Sequence, residues 1–460
     1  MTSERDGTIA TVGLSQRVLA RLSAGAAAIA PTLIAERRDF HRYAESGWTE
    51  FRTASLIARR LADLGFDVKV GRDVLDPDVR MGVPDVDVLE AAWVRAKAQG
   101  GDPEFLEEAR GGFTGVVATL SHGAGPTVGL RFDIDALDLQ ESHAPDHRPE
   151  AEGFASVNDG EAHACGHDAH AAIGLGVARV LADLVAAIKG TVKLVFQPAE
   201  EGVRGAKAMV AARVVDDVDI LLGLHVYSGW ETGSVAPGKS GFLATSKFDA
   251  FITGAPAHAG GSPHMGRNAM LAAATAVLNL HAISRHRSGA TRINVGRLTA
   301  GQGRNVIAPS AHLAIETRGA TSKLDDYMVD AAVRVLESAA AMYECELEIR
   351  AMGGAKSADS DPALAERVSR VVGVLPGMAV RDAEPGGGSE DFTYMMRRVQ
   401  ERGGLATNIG FGADLGDWGH HTAVFDIDET ALSMAVQLLV ATTLDLQWNP
   451  EHAADQPRRG

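Results

Sequence analysis

Within eight residues, His163-Ala-Cys-Gly-His-Asp-Ala-His170, the chain sets one cysteine, three histidines and an aspartate. These are the sulfur, nitrogen and oxygen donors that a zinc-like or manganese-like ion accepts. One short loop cannot encircle an ion by itself, so the fold has to carry further donors to it. Where those donors come from constrains everything else in the sequence.

The hydrophobic pattern shows where they can converge. Residues 127–132 read as a strand that enters Asp133-Ile-Asp-Ala-Leu-Asp138. Residues 191–196 read as a buried strand ending in Gln197-Pro-Ala-Glu-Glu-Gly202, and residues 220–224 as one ending in His225. A fourth, 408–411, is followed by His420 and His421 in a loop. Apolar strands that end in polar groups are how an α/β sheet presents side chains at its carboxyl edge. Residues 66–70 and 115–120 add strands. Helical spacing over 14–64, 171–187, 362–374 and 429–446 supplies flanking helices.

A chain of 460 residues exceeds one ordinary compact domain. From 245 to 351 the pattern becomes self-contained: strand 248–253, helix 268–284, strands 292–298 and 312–318, helix 324–342, strand 346–351. That β–α–β–β–α–β order describes a ferredoxin-like unit, inserted into a larger α/β domain made of 1–244 and 352–460. Segment 72–112 is Asp- and Pro-rich, then helix-like over 88–98, and reads as a surface insertion.

The net charge of −16 and the lack of a basic block exclude a nucleic-acid surface. No stretch approaches about 18–20 uninterrupted apolar residues, so no membrane span is expected. Glu4, Arg5 and Asp6 interrupt any secretory pattern. Two cysteines are too few for a disulfide scaffold. Cys345 reads as a small packed residue. A thiol at Cys165 that must stay available as a ligand fits a reducing, cytoplasmic setting.

The candidate donors are then Cys165 and His167, Glu200 and Glu201, His225, and His420 or His421. A thiolate between two ions bridges them at roughly 3.5–4 Å, and Cys165 suits that position. His167 with another histidine completes one ion, and a glutamate with another histidine completes the second. Neighbouring residues in an extended segment point in different directions, so one of the two glutamates can stay off the metals and move a proton.

These ordered motifs resemble the M20 metallopeptidase family, in the amidohydrolase branch that carries His-Ala-Cys-Gly-His-Asp. Arg38-Asp-Phe-His-Arg-Tyr-Ala-Glu-Ser-Gly-Trp-Thr-Glu50 and the 72–112 insert are similar to one subgroup of that branch, and the likeness runs from about 35 to 447. The resemblance implies a zinc-exopeptidase-like mixed sheet flanked by helices, with the ferredoxin-like insert as lid and dimerisation domain. It implies the metal ligands Cys165, His167, Glu201, His225 and His421. His421 is preferred to His420 because His421-Thr-Ala-Val-Phe425 matches the family's closing phrase. His163 and His170 are read as structural.

By the same resemblance, Glu200 is the general base and acid, and Asp135 orients a ligand. His258, in Gly254-Ala-Pro-Ala-His-Ala-Gly260, polarises the scissile carbonyl, often across a dimer interface. Asn305 lies near the substrate and Arg318 grips its carboxylate. The loop 385–391 offers backbone N–H groups to that carboxylate, although its glycine content departs from the family's. The implied activity is hydrolysis of an N-acyl acidic amino acid, p-aminobenzoyl-glutamate ahead of an acyl-aspartate such as an auxin conjugate. Loss of an amino group from an aromatic amine is a further alternative. Two divalent cations are implied, Mn²⁺ ahead of Zn²⁺, in a homodimer or a heteromer with a homologous subunit. The rival from another class is a non-catalytic metal-binding subunit, which would have no need of Glu200.

Overall fold

The computed structural model describes residues 14–382, 388–416 and 419–449. In chain order the strands are β1 (Asp67–Val70), β2 (Val116–His122), β3 (Thr127–Asp133), β4 (Gly190–Gln197), β5 (Ile220–Tyr227) and β6 (Ser234–Ala236). They continue with β7 (Ala244–Thr253), β8 (Thr291–Ala300), β9 (Ser310–Gly319), β10 (Glu346–Ala355), β11 (Ala379–Val380) and β12 (Leu405–Gly412).

Eight strands form a mixed sheet in the order β1-β2-β4-β3-β5-β12-β6-β11. Strands β3, β4, β5 and β12 are parallel, while β2 runs antiparallel to both β1 and β4. The parallel strands read as nearly continuous apolar runs because helices cover them: Val192, Leu194, Val195 and Phe196 are all buried. Helices Gln16–Arg42, His167–Asp183 and Thr430–Trp448 pack on one another beside this sheet. Because β3, β4, β5 and β12 run the same way, their carboxyl ends share one edge.

The second sheet, β10-β7-β9-β8, is antiparallel throughout. Helices Ala269–His281 and Ser322–Met342 pack against it over a core that includes Phe248, Ile252, Leu313, Ile315 and Leu336. Side chains alternate along a strand. Lys247 on β7 and Glu316 and Arg318 on β9 therefore lie on the opposite, helix-free face.

Three local expectations change. Strand β5 runs on to Tyr227, so His225 lies inside it. Helix His167–Asp183 starts within the metal-donor motif itself rather than behind it. Segment 72–112 is not confined to the surface: it sends Val74, Leu75, Leu89, Ala96, Phe105 and Leu106 into the main core. Its Asp and Pro residues occupy turns and helix starts, which conceals the spacing of its apolar residues. Helix Gln16–Arg42 is also long and apolar enough to cross a membrane, an effect of its many alanines. In the fold it buries Leu22, Ala26, Leu33 and Phe40.

Candidate metal centre

The site is assembled on the shared carboxyl edge. Gly166 starts the ligand-bearing helix in the left-handed region, with φ at 98°. A β-carbon there would sit 2.4 Å from Val226 Cγ2. Only glycine lets the turn between Cys165 and His167 lie this close to β5.

The tautomers of two histidines follow from their carbonyl partners. His167 Nδ1 donates to the Asp135 carbonyl at 2.9 Å and lies 3.3 Å from its carboxylate. His225 Nδ1 donates to the Val226 carbonyl at 2.7 Å. In the neutral form of each ring this leaves Nε2 with its lone pair, as a metal ligand requires. Cys165 Sγ lies 3.5 Å from His225 Nε2. His167 Nε2 and Glu201 Oε1 are buried and have no hydrogen-bond partner among the described residues.

The donor atoms of Cys165, His167 and His225 lie within 4.8 Å of one another, as do those of Cys165, Glu201 and His421 and those of His167, Glu200 and Glu201. Cys165 belongs to two of these groups. His421 Nε2 lies 3.5 Å from Glu201 Oε1. His420 belongs to none of the groups, and its ring lies against Phe425 and Tyr227. His170 bonds Asp133 and, at 2.9 Å, the N–H of Val226. His163 is buried, its ring near that of His41, and its nitrogens have no hydrogen-bond partner among the described residues.

The adjacent glutamates are held by Asp135, whose carboxylate accepts the N–H of Glu200 at 3.0 Å and of Glu201 at 2.9 Å. Burial pushes the Glu200 carboxyl well above the usual range, with Glu390 and Glu201 adding to it. Burial pushes Glu201 up to about 7 and also raises the Cys165 thiol. His225 is held well down by burial and by His170. Burial opposes charge on His167 as well, yet Asp133 and Cys165 raise it well above its ordinary value, so this end of the cleft favours a positive charge among its donors. Sulfur, nitrogen and oxygen donors gathered there match divalent cations, whose binding would displace the protons they carry.

Arg318 lines the same cleft. His258 and Asn305 do not. They sit together at an exposed tip of the second unit, where Ala259 N donates to the Asn305 carbonyl at 2.9 Å. Residues 385–387 of the glycine-rich loop lie outside the described residues; of the rest, Gly388, Ser389 and Glu390 border the cleft.

Sequence reasoning missed the support around Asp133. Arg131, fully buried, bonds Asp133 at 2.6 Å and Glu390 at 3.1 Å. An arginine inside an apolar strand was the available signal. It also missed Tyr227, Lys239 and Lys247, which line the cleft.

Residues 129–445 match the model of peptidase family M20/M25/M40. The chain is similar to indole-3-acetyl-aspartic acid hydrolase of Enterobacter agglomerans, at 51% identity over 91% of this chain and 96% of that one. It is 48% identical to one of the subunits of p-aminobenzoyl-glutamate hydrolase of Escherichia coli, over 91% and 97%. Among solved structures it resembles an aminobenzoyl-glutamate utilization protein from Klebsiella pneumoniae, with TM-score 0.81, 44% identity and coverage of 92% and 98%. It also resembles the Bacillus subtilis YXEP protein, a dinuclear metal binding peptidase of the M20 family, with TM-score 0.62, 25% identity and coverage of 92% and 99%.

Proposed function

Because this chain belongs to peptidase family M20/M25/M40, we propose that its cleft hydrolyses N-acyl acidic amino acids, p-aminobenzoyl-glutamate first. The observation that carries the reading is the pair of imidazoles, His167 and His225, each bonding a backbone carbonyl through Nδ1, with their ligand nitrogens grouped with Cys165 Sγ. Cys165, His167, Glu201, His225 and His421 would hold two divalent cations, Mn²⁺ ahead of Zn²⁺. When bound, such a pair supplies Lewis-acid activation of water and of the scissile carbonyl.

Glu200 takes a proton from the attacking water and returns it to the leaving nitrogen. Its raised proton affinity suits both halves of that task. Asp135 is a positioning residue: it fixes the His167 tautomer and the backbone of both glutamates. Arg318 takes a carboxylate of the substrate.

His258 Nδ1 accepts the N–H groups of Gly260 and Gly261 at 3.1 and 2.9 Å, so Nε2 carries a proton that it can donate. Since it is exposed and outside its own chain's cleft, we infer that His258 and Asn305 serve the cleft of a neighbouring protomer. Two features support pairing through this unit: the exposed Leu271 and Leu278 of helix Ala269–His281, and the unpaired edge of β8. We accordingly assign 245–351 as a lid and dimerisation domain, and 1–244 with 352–460 as the catalytic domain. The partner is a second copy or a homologous chain, and the setting is the cytoplasm.

An acyl-aspartate is the second reading, favoured by the likeness to indole-3-acetyl-aspartic acid hydrolase. The test is amino-acid release by the purified chain alone, with Mn²⁺ or Zn²⁺, from both substrates. Glu200→Gln is expected to lose at least about 100-fold in kcat while keeping its metal content. Full activity in that variant would falsify the role of Glu200, and a chain inactive on both amides would leave a non-catalytic, metal-binding role as the better reading.

A further inference from the structure

The cleft carries more positive charge than one carboxylate requires. Arg318, Lys239 and Lys247 all line it. Arg318 is already engaged in part, its Nε and Nη2 donating to Glu316 at 3.0 and 3.1 Å. Lys239 is packed into the wall, its ammonium 4.2 Å from the centre of the Tyr227 ring and bonded to the Tyr227 hydroxyl.

Lys247 differs from both. It lies directly opposite Glu316 across the β7–β9 pairing, but Glu316 is held by Arg318. Among the described residues the Lys247 ammonium makes no hydrogen bond or ion pair.

The register sets the spacing. Arg318 is opposite Thr245, two residues from Lys247. The two cations are therefore diagonal neighbours on the helix-free face, with β-carbons about 7 Å apart by ordinary sheet geometry. Two long side chains at that spacing can converge on two carboxylates separated by a few carbons. That is the arrangement in a dicarboxylic amino acid.

We propose that Lys247 binds the side-chain carboxylate of the released amino acid while Arg318 takes its α-carboxylate, so that Lys247 sets the preference for acidic substrates. This assignment rests on the amidohydrolase reading of the same cleft. An ammonium facing a carboxylate in a partly dehydrated cleft discriminates against the neutral amide of the same shape, which leaves the charge unmatched.

The test uses the full chain loaded with Mn²⁺ and three substrates: the 4-aminobenzoyl amides of L-glutamate, L-glutamine and L-norvaline. The wild type is expected to favour glutamate over glutamine by about 10- to 100-fold in kcat/KM. Lys247→Met is expected to shrink that ratio to about threefold, chiefly through KM for the glutamate substrate, with metal content equal to wild type. Lys247→Arg keeps the ratio above about tenfold. A ratio retained in Lys247→Met, or a wild type with no preference, overturns the assignment of Lys247 and leaves the hydrolase reading standing. A metal-loaded wild type that cleaves none of the three amides overturns both.

Discussion

Asp168 stands inside the metal-donor motif, yet its carboxylate is turned to the amino-terminal helix. It accepts from Arg37 Nε and from His41 Nδ1, both at 2.8 Å, and the other His41 nitrogen bonds Glu141 at 2.8 Å. With a carboxylate at each nitrogen the ring is an imidazolium. Burial opposes that charge, but the bonds to Asp168 and Glu141 prevail and hold His41 up to about 9, from an ordinary 6.5. A raised folded-state value means the stabilisation is complete below the unfolded value and is lost as pH rises through the folded one. Metal-free protein should lose stability between pH 6.5 and 9 through this residue. His41→Gln should be less stable by about 3 kcal/mol at pH 6 and should lack that slope. Thermal unfolding at about pH 6 and about pH 9.5, either side of that window, reads both, and parallel slopes in the two proteins would contradict the assignment. The opening motif was legible in the sequence as a family feature. Its partner was not, because Asp168 lies 127 residues away from His41.

At the scale of the element, the second sheet is tied to the glutamate loop by its last strand. Strand β10 shifts register between Ala351 and Gly353, and Gly354 N donates to the Val203 carbonyl at 2.8 Å. A β-carbon on Gly353 would lie 2.2 Å from the Gly202 carbonyl oxygen, whereas one on Gly354 would meet nothing closer than 3.3 Å. Gly353→Ala should therefore push on the loop that bears Glu200 and Glu201, destabilising the fold by roughly 1–3 kcal/mol and weakening Mn²⁺ binding. Gly354→Ala should do less of both. Melting curves with Mn²⁺ titrations check this, and a Gly353→Ala protein indistinguishable from wild type would show that the contact has no mechanical consequence. The β–α–β–β–α–β order of this unit could be read from period alone. Its contact with the glutamate loop could not, because a glycine in a strand has no signature that says what approaches it.

At the scale of the molecule, the donors come from segments far apart in the chain, and the buried acids among them gain from any cation that joins them. Divalent ions that bind only the folded chain raise its stability by mass action, by about 3 kcal/mol at a hundredfold excess over Kd. Removing them with a chelator should abolish amide hydrolysis and lower Tm, and added Mn²⁺ should restore both in a concentration-dependent way. A Tm and an activity indifferent to chelation would refute the two-cation reading.

By itself the sequence determined the kinds of donor, the apolar strands that lead to them and the order of the inserted unit. Each of these is written in composition or in a short period along the chain. Only the tertiary structure decided that β3, β4, β5 and β12 run parallel and so bring their donors to one edge. It also decided which nitrogen of His167 and of His225 is free, and that Lys247 shares the cleft with Arg318. Such pairings join residues as distant as Arg131 and Glu390, 259 positions apart. A contact of that range depends on how whole elements pack, and no local periodicity records it.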